Sequence, residues 1–159
     1  MSVAIEISVE ADAWRLFSGA EAQVRRAAEA ALADAATSAV ELGVVLADDE
    51  RMRMLNRTWR GKDNATNVLS FPAPASGKGE PRMLGDVVLA YETVVREAAE
   101  QGIPARDHLM HLAVHGVLHL LGYEHENDRD AEAMERRERE ILARLGVPDP
   151  YARVEASAV

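Results

Sequence analysis

The chain of 159 residues carries 18 Lys and Arg against 27 Asp and Glu, a formal net charge of −9, and is 48% hydrophobic and 28% charged. A length near 150 is that of one compact domain, and this composition excludes a largely disordered chain. Cysteine is absent, which excludes disulfides, thiolate metal sites and cysteine nucleophiles, so any metal must be held by nitrogen or oxygen.

Val3, Ile5, Ile7 and Val9 alternate with Ala4, Glu6 and Ser8, the period of a strand with one buried face. Glu21 to Ala36 is alanine-rich and reads as a helix, and Val40 to Leu46 returns to strand composition. Asp48 and Asp49 can cap a helix whose apolar positions Met52, Leu55 and Trp59 recur at three and four and which ends by Gly61. Thr66 to Phe71 is a further β run stopped by Pro72, and the turn-rich segment Ala73 to Arg82 reads as a mobile loop. Met83 to Tyr91 is a fourth strand, followed by a helix from Glu92 to Glu100 that Gly102 closes.

Pro104 and Asp107 suit the first turn of a helix that runs to Leu121 and is apolar nearly all round, the mark of a central, buried helix. Asp128 can cap a charged surface helix with one apolar stripe, Ala131, Met134, Ile141, Leu142 and Leu145, ending at Gly146 and Pro148. The order of elements predicts a single α+β domain over residues 1–159. It should hold a mixed four-stranded sheet and about five helices packed mainly on one face.

No apolar stretch approaches the roughly 18 residues of a membrane span, and Met1 to Glu10 has no secretory pattern. The expected location is therefore cytoplasmic, with no membrane partner. The acidic total argues mildly against non-specific nucleic-acid binding, yet Arg51, Arg53, Arg57, Arg60 and Lys62 face only Glu50 between residues 50 and 62.

All five histidines, His108, His111, His115, His119 and His125, fall within one short stretch. At about 100° per residue the first four share one face of the buried helix. A lone histidine there would be a hydrogen-bonded core residue, but four desolvated imidazoles need a common partner, and a metal is the economical one. His115 and His119, about 6 Å apart along the axis, can converge on bonds of about 2.0 to 2.1 Å. His111 lies about 12 Å from His119 and cannot. Gly122 can take the left-handed conformation that turns the chain back and brings His125 to His119.

The resulting spacing, His115-x3-His119-x2-Gly122-x2-His125, is that of the metzincin zinc site. Three imidazoles suit one Zn²⁺, although other divalent transition metals accept the same donors, and the fourth position stays open for catalysis. His108 and His111 read as supporting, substrate-facing or merely polar residues. The residue after the first histidine, a glutamate base in metallopeptidases, is here Gly116. That glycine serves either close approach of substrate or backbone, or tight packing.

The run His115-Gly116-Val117-Leu118-His119-Leu120-Leu121-Gly122-Tyr123-Glu124-His125 resembles the histidine motif of the YbeY family of bacterial metal-dependent endoribonucleases. Trp59 to Pro72 and Leu84-Gly85-Asp86-Val87 resemble that family's second and third motifs. Two positions depart: Glu124 stands for an aspartate and keeps the carboxylate, whereas Asn67 replaces an aspartate and removes one.

The resemblance implies metal ligation by His115, His119 and His125, with His115 and Arg60 essential to catalysis. It also implies single-strand-specific cleavage of RNA in 16S ribosomal RNA 3′-end maturation and ribosome quality control, with the small ribosomal subunit as partner. Physically, the planar fork of Arg60 suits a phosphate, and Lys62 extends the positive track. Arg51, Arg53 and Arg57 read rather as a solvated helix face, and Asp86 either supports the site or satisfies backbone donors. The alternatives are a zinc metallopeptidase and a non-catalytic ribosome-assembly factor that binds RNA.

Overall fold

The computed structural model describes residues 3–33, 39–74 and 82–152. The alternating and β-branched runs form four strands: β1 (Val3–Val9), β2 (Val40–Ala47), β3 (Val68–Pro72) and β4 (Arg82–Ala90). Their order is β1-β2-β4-β3, with β1, β2 and β4 parallel and β3 antiparallel on the edge, so the sheet is mixed as expected.

Five helices complete the fold among the described residues: α1 (Ala20–Leu32), α2 (Asp49–Arg60), α3 (Tyr91–Gln101), α4 (Ala105–Leu120) and α5 (Asp128–Arg144). A short 3-10 helix at Asp12–Leu16 was not expected. Its Trp14 is buried and donates from Nε1 to the Ala47 carbonyl at 2.7 Å, closing one end of the sheet.

Period-two alternation divides β2 between two cores. Val40, Leu42, Val44 and Leu46 face the main core beneath α1 and α4. Ala47 and the half-buried Val45 face a smaller one, where α2 lays Met52 and Leu55 over Leu69, Val88 and Ala90. Helices thus lie mainly on one face, with α2 on the other. In α4 the residues Leu109, Val114 and Leu118 are wholly buried. Each such side chain contributes about 1.5–3 kcal/mol relative to exposure, which holds the histidine-bearing helix firmly against the sheet.

Local details differ from expectation in three places. Trp59 is 69% exposed, and the buried neighbour of Met52 on α2 is instead Asn56, whose amide donates to the Asn64 carbonyl at 2.9 Å. The α5 cap is Asn127, accepting from the Asp130 amide, so Asp128 is already helical. Asp48 alone caps α2, while Asp49 accepts from the amide and hydroxyl of Thr93 and ties α2 to α3. The last part of the expected Glu21–Ala36 helix and most of the Ala73–Arg82 loop lie outside the described residues.

Candidate metal centre

The end of α4 sets the geometry. Gly122 has φ +103°, its amide donates to the His119 carbonyl and the Tyr123 amide reaches back to the Leu118 carbonyl, each at 3.0 Å. This pair of bonds is a Schellman motif, and it reverses the chain as the glycine requires. His125 is thereby returned to α4, with ring centroids 4.9 Å from His119 and 5.8 Å from His115.

His115 and His119, one turn apart, bring their Nε2 atoms to 3.1 Å. One ligand nitrogen from each of His115, His119 and His125 lies within 4.8 Å of the others. In a tetrahedron with bonds of 2.0–2.1 Å, donors stand about 3.3 Å apart, so this donor set can hold one metal ion. Burial, then the charges of His115 and His125, lower the pKa of His119, favouring the neutral imidazole that a metal needs.

The three rings open into a cavity of about 550 Å³ that Arg60, Asn67, Ser70 and Glu124 also line. Arg60 is the last residue of α2, held at the rim because Gly61 ends the helix with φ +70°. Lys62, one residue past that turn, is exposed and does not line the cavity. Of the other cations, Arg51 pairs with Glu10 at 3.6 Å and Arg53 with Asp63 at 2.8 Å. Arg60 and Lys62 have no ion-pair partner among the described residues, which leaves both charges available.

The remaining histidines stand apart. His108 is buried and its Nε2 meets Glu97 at 2.9 Å, while Asn67 donates to the same Glu97 oxygen at 3.0 Å. The amide that replaces the family's aspartate is therefore a donor to a carboxylate. His111 turns to Glu138 at 3.1 Å. Glu138, with none of its side chain exposed, also faces His115 Nδ1 at 2.5 Å and accepts a bond from the Tyr151 hydroxyl. Burial opposes its ionisation, but the hydrogen bonds from His111 and His115 prevail and hold its pKa down to about 2. Burial and the bond to Glu138 raise the Tyr151 pKa.

Gly116 resolves toward packing. A Cβ there would lie 2.7 Å from Val87 Cγ1 and 3.2 Å from Val68 Cγ2. Its carbonyl accepts from Ser70 Oγ at 2.8 Å, so the missing side chain lets α4 lie close on the sheet. Asp86 lies on the opposite face, in a separate groove of about 560 Å³ with Trp59 and Phe71, and its carboxylate covers Gly43. It is no part of the histidine site.

Sequence reasoning missed Glu138, Tyr151 and Glu97. One signal was present: Glu138 interrupts the stripe Met134, Ile141, Leu142 at a core-facing position.

The family model of Endoribonuclease YbeY matches residues 8–146. Relatives bearing the name Endoribonuclease YbeY include a protein of Rhodopseudomonas palustris strain BisA53, 57% identical over 94% of this chain and 90% of its own. Others are those of Nitrobacter hamburgensis, 51% identical over 98% and 85%, and Bradyrhizobium diazoefficiens, 53% identical over 92% and 84%. A solution structure from Thermotoga maritima, 22% identical, shares the fold with a TM-score of 0.58 over 96% of this chain and 93% of that one. No helix of the described residues is long and apolar enough to cross a membrane.

Proposed function

The chain belongs to the YbeY family, and from that premise we propose that residues 1–159 form one metal-dependent hydrolase domain that cuts single-stranded RNA. His115, His119 and His125 hold one ion, for which Zn²⁺ suits three neutral imidazoles, although other divalent transition metals fit the same donors. When bound, the ion supplies Lewis-acid polarisation of a phosphoryl oxygen or a water acidified toward neutral pH. The chain's own residues do the rest. Arg60 binds two phosphate oxygens through its planar fork and stabilises the charge that grows on them during attack by water or by the ribose 2′-OH. Lys62 receives the next backbone phosphate. The substrate is ribosomal RNA near the 3′ end of the 16S molecule, reached on the small subunit in the cytoplasm during maturation and quality control.

The observation that carries this reading is the shared cavity: three converging imidazoles and Arg60, which has no ion-pair partner among the described residues, line one open space. A peptidase would need a base where Gly116 packs on Val87.

The test couples metal content to turnover of a defined RNA, with duplex RNA and casein alongside. The expected result is one ion per chain and chelator-sensitive cleavage of the single strand, absent in His115→Ala together with the metal. Cleavage of casein alone would reverse the assignment to a peptidase. Binding of RNA without turnover by pure wild-type protein would favour an assembly factor.

A further inference from the structure

Glu138 is costly to place. A carboxylate withdrawn from water gives up much of its hydration, and an apolar side chain of similar size at such a position is often neutral or stabilising. Its neighbours on the stripe, Met134, Ile141 and Leu142, show that this face of α5 is otherwise apolar. Packing alone does not account for it.

The partners do. Oε1 faces His115 Nδ1 at 2.5 Å, and Oε2 faces His111 Nε2 at 3.1 Å and receives the Tyr151 hydroxyl. A carboxylate oxygen accepts, so in the neutral ring that a metal needs the His115 proton lies on Nδ1, facing Glu138. The opposite nitrogen, Nε2, then presents a bare lone pair on the side where it meets His119. Tyr151 comes from beyond α5, and Arg139 holds it there: the guanidinium lies 5.2 Å from the ring centroid and pairs with Asp149 at 3.2 Å. The turn that ends the described chain is thus tied through one carboxylate to a metal-site imidazole.

We propose that Glu138 is a positioning residue for the metal centre, selecting the tautomer and ring orientation of His115, and that Tyr151 and His111 in turn fix the carboxylate. The C-terminal turn around Tyr151 is then a strut of the site. This rests on the reading of His115 as a ligand. Partners that orient a ligating histidine from behind typically change metal affinity about 10–100-fold when removed.

The experiment uses full-length wild type, Glu138→Gln and Tyr151→Phe, each first checked for cooperative thermal unfolding. Zinc affinity is measured by chelator competition, the Co²⁺ visible spectrum reports ligand geometry, and imidazole ¹H–¹⁵N spectra of the metal-free protein report tautomers. Wild type should show His115 protonated at Nδ1. Glu138→Gln should weaken zinc binding about 10-fold or more, move the Co²⁺ bands and lose the tautomer preference. Tyr151→Phe should act in the same direction by less.

Folded variants that bind zinc within about twofold of wild type, or a wild-type His115 protonated at Nε2, would overturn the inference. Should Glu138→Gln fail to fold, Tyr151→Phe and the wild-type tautomer decide. A wild-type chain that takes up neither ion sinks the metal-site reading itself, and this inference with it.

Discussion

Arg60 and Lys62 sit two residues apart on either side of a helix-ending glycine, and in the proposed reading that small separation gives them different work. Arg60 lines the histidine cavity and Lys62 does not. A group that contacts charge developing in the transition state affects kcat, whereas one that only attracts a neighbouring phosphate affects binding. Arg60→Ala should therefore lower kcat on single-stranded RNA by about 100-fold or more while leaving metal content unchanged. Lys62→Ala should leave kcat near wild type, and should flatten the dependence of log affinity on log salt by about 0.7. Steady-state kinetics and binding at several salt concentrations separate the two, and equal losses of kcat would refute the division. At this scale the sequence is informative where chemistry repeats: the i, i+4 spacing of His115 and His119 and the turn at Gly122 bring three of the five histidines together, while His108 and His111 go to carboxylates instead. It is nearly silent on Glu138 and Glu97, because a carboxylate on a charged helix looks solvated until the tertiary partner is known. Glu138 differed only in standing on the apolar side of its helix.

Elements were legible wherever period or punctuation was strong. The alternation of β1, the apolar run of α4 and the glycines closing α2 and α3 each place an element within a residue or two. Trp59 misled because a three-and-four pattern says which residues share a face and not where that face ends: Trp59 borders the groove beside Phe71 and Val88 and is left 69% exposed. Gly116 was ambiguous for the same reason: a glycine states that a side chain is unwelcome without naming what excludes it. The structure names Val87 and Val68. Alanine at 116 gains up to about 1 kcal/mol in helix propensity. Its Cβ, however, meets stiff β-branched side chains, an overpacking cost of about 1–3 kcal/mol. Gly116→Ala should accordingly be less stable by about 1 kcal/mol, read as a lower urea midpoint at constant slope. Adding Val87→Ala should relieve the clash, so the double variant should lose less than the sum of the two single losses. Strict additivity of the two substitutions would mean that Gly116 serves some other contact.

For the whole molecule the question is whether the metal builds the fold or is added to it. The proposed ligands span residues 115–125, a single helix end and the turn after it, so an ion there bridges no distant elements. The main core of α1, α4 and the sheet is assembled from other residues, and the second core beneath α2 is separate again. An ion that closes so short a segment stabilises by mass action on a structure already formed. With free zinc at 100 times its dissociation constant, this linkage is worth about 2.7 kcal/mol. For a domain of this size that corresponds to roughly 5–10 °C in Tm. Chelation should therefore abolish RNA cleavage and lower Tm by that amount, while far-UV circular dichroism and cooperative unfolding survive. Hydrogen exchange should quicken in residues 119–125 and stay slow in β2 and the first turns of α4. A metal-free chain that lost its helical signal altogether would show instead that the ion holds the core, and the site would then be structural like that of a zinc finger. The geometry argues against that outcome, since a structural site would fill its fourth position with a protein donor and, among the described residues, this cluster supplies three.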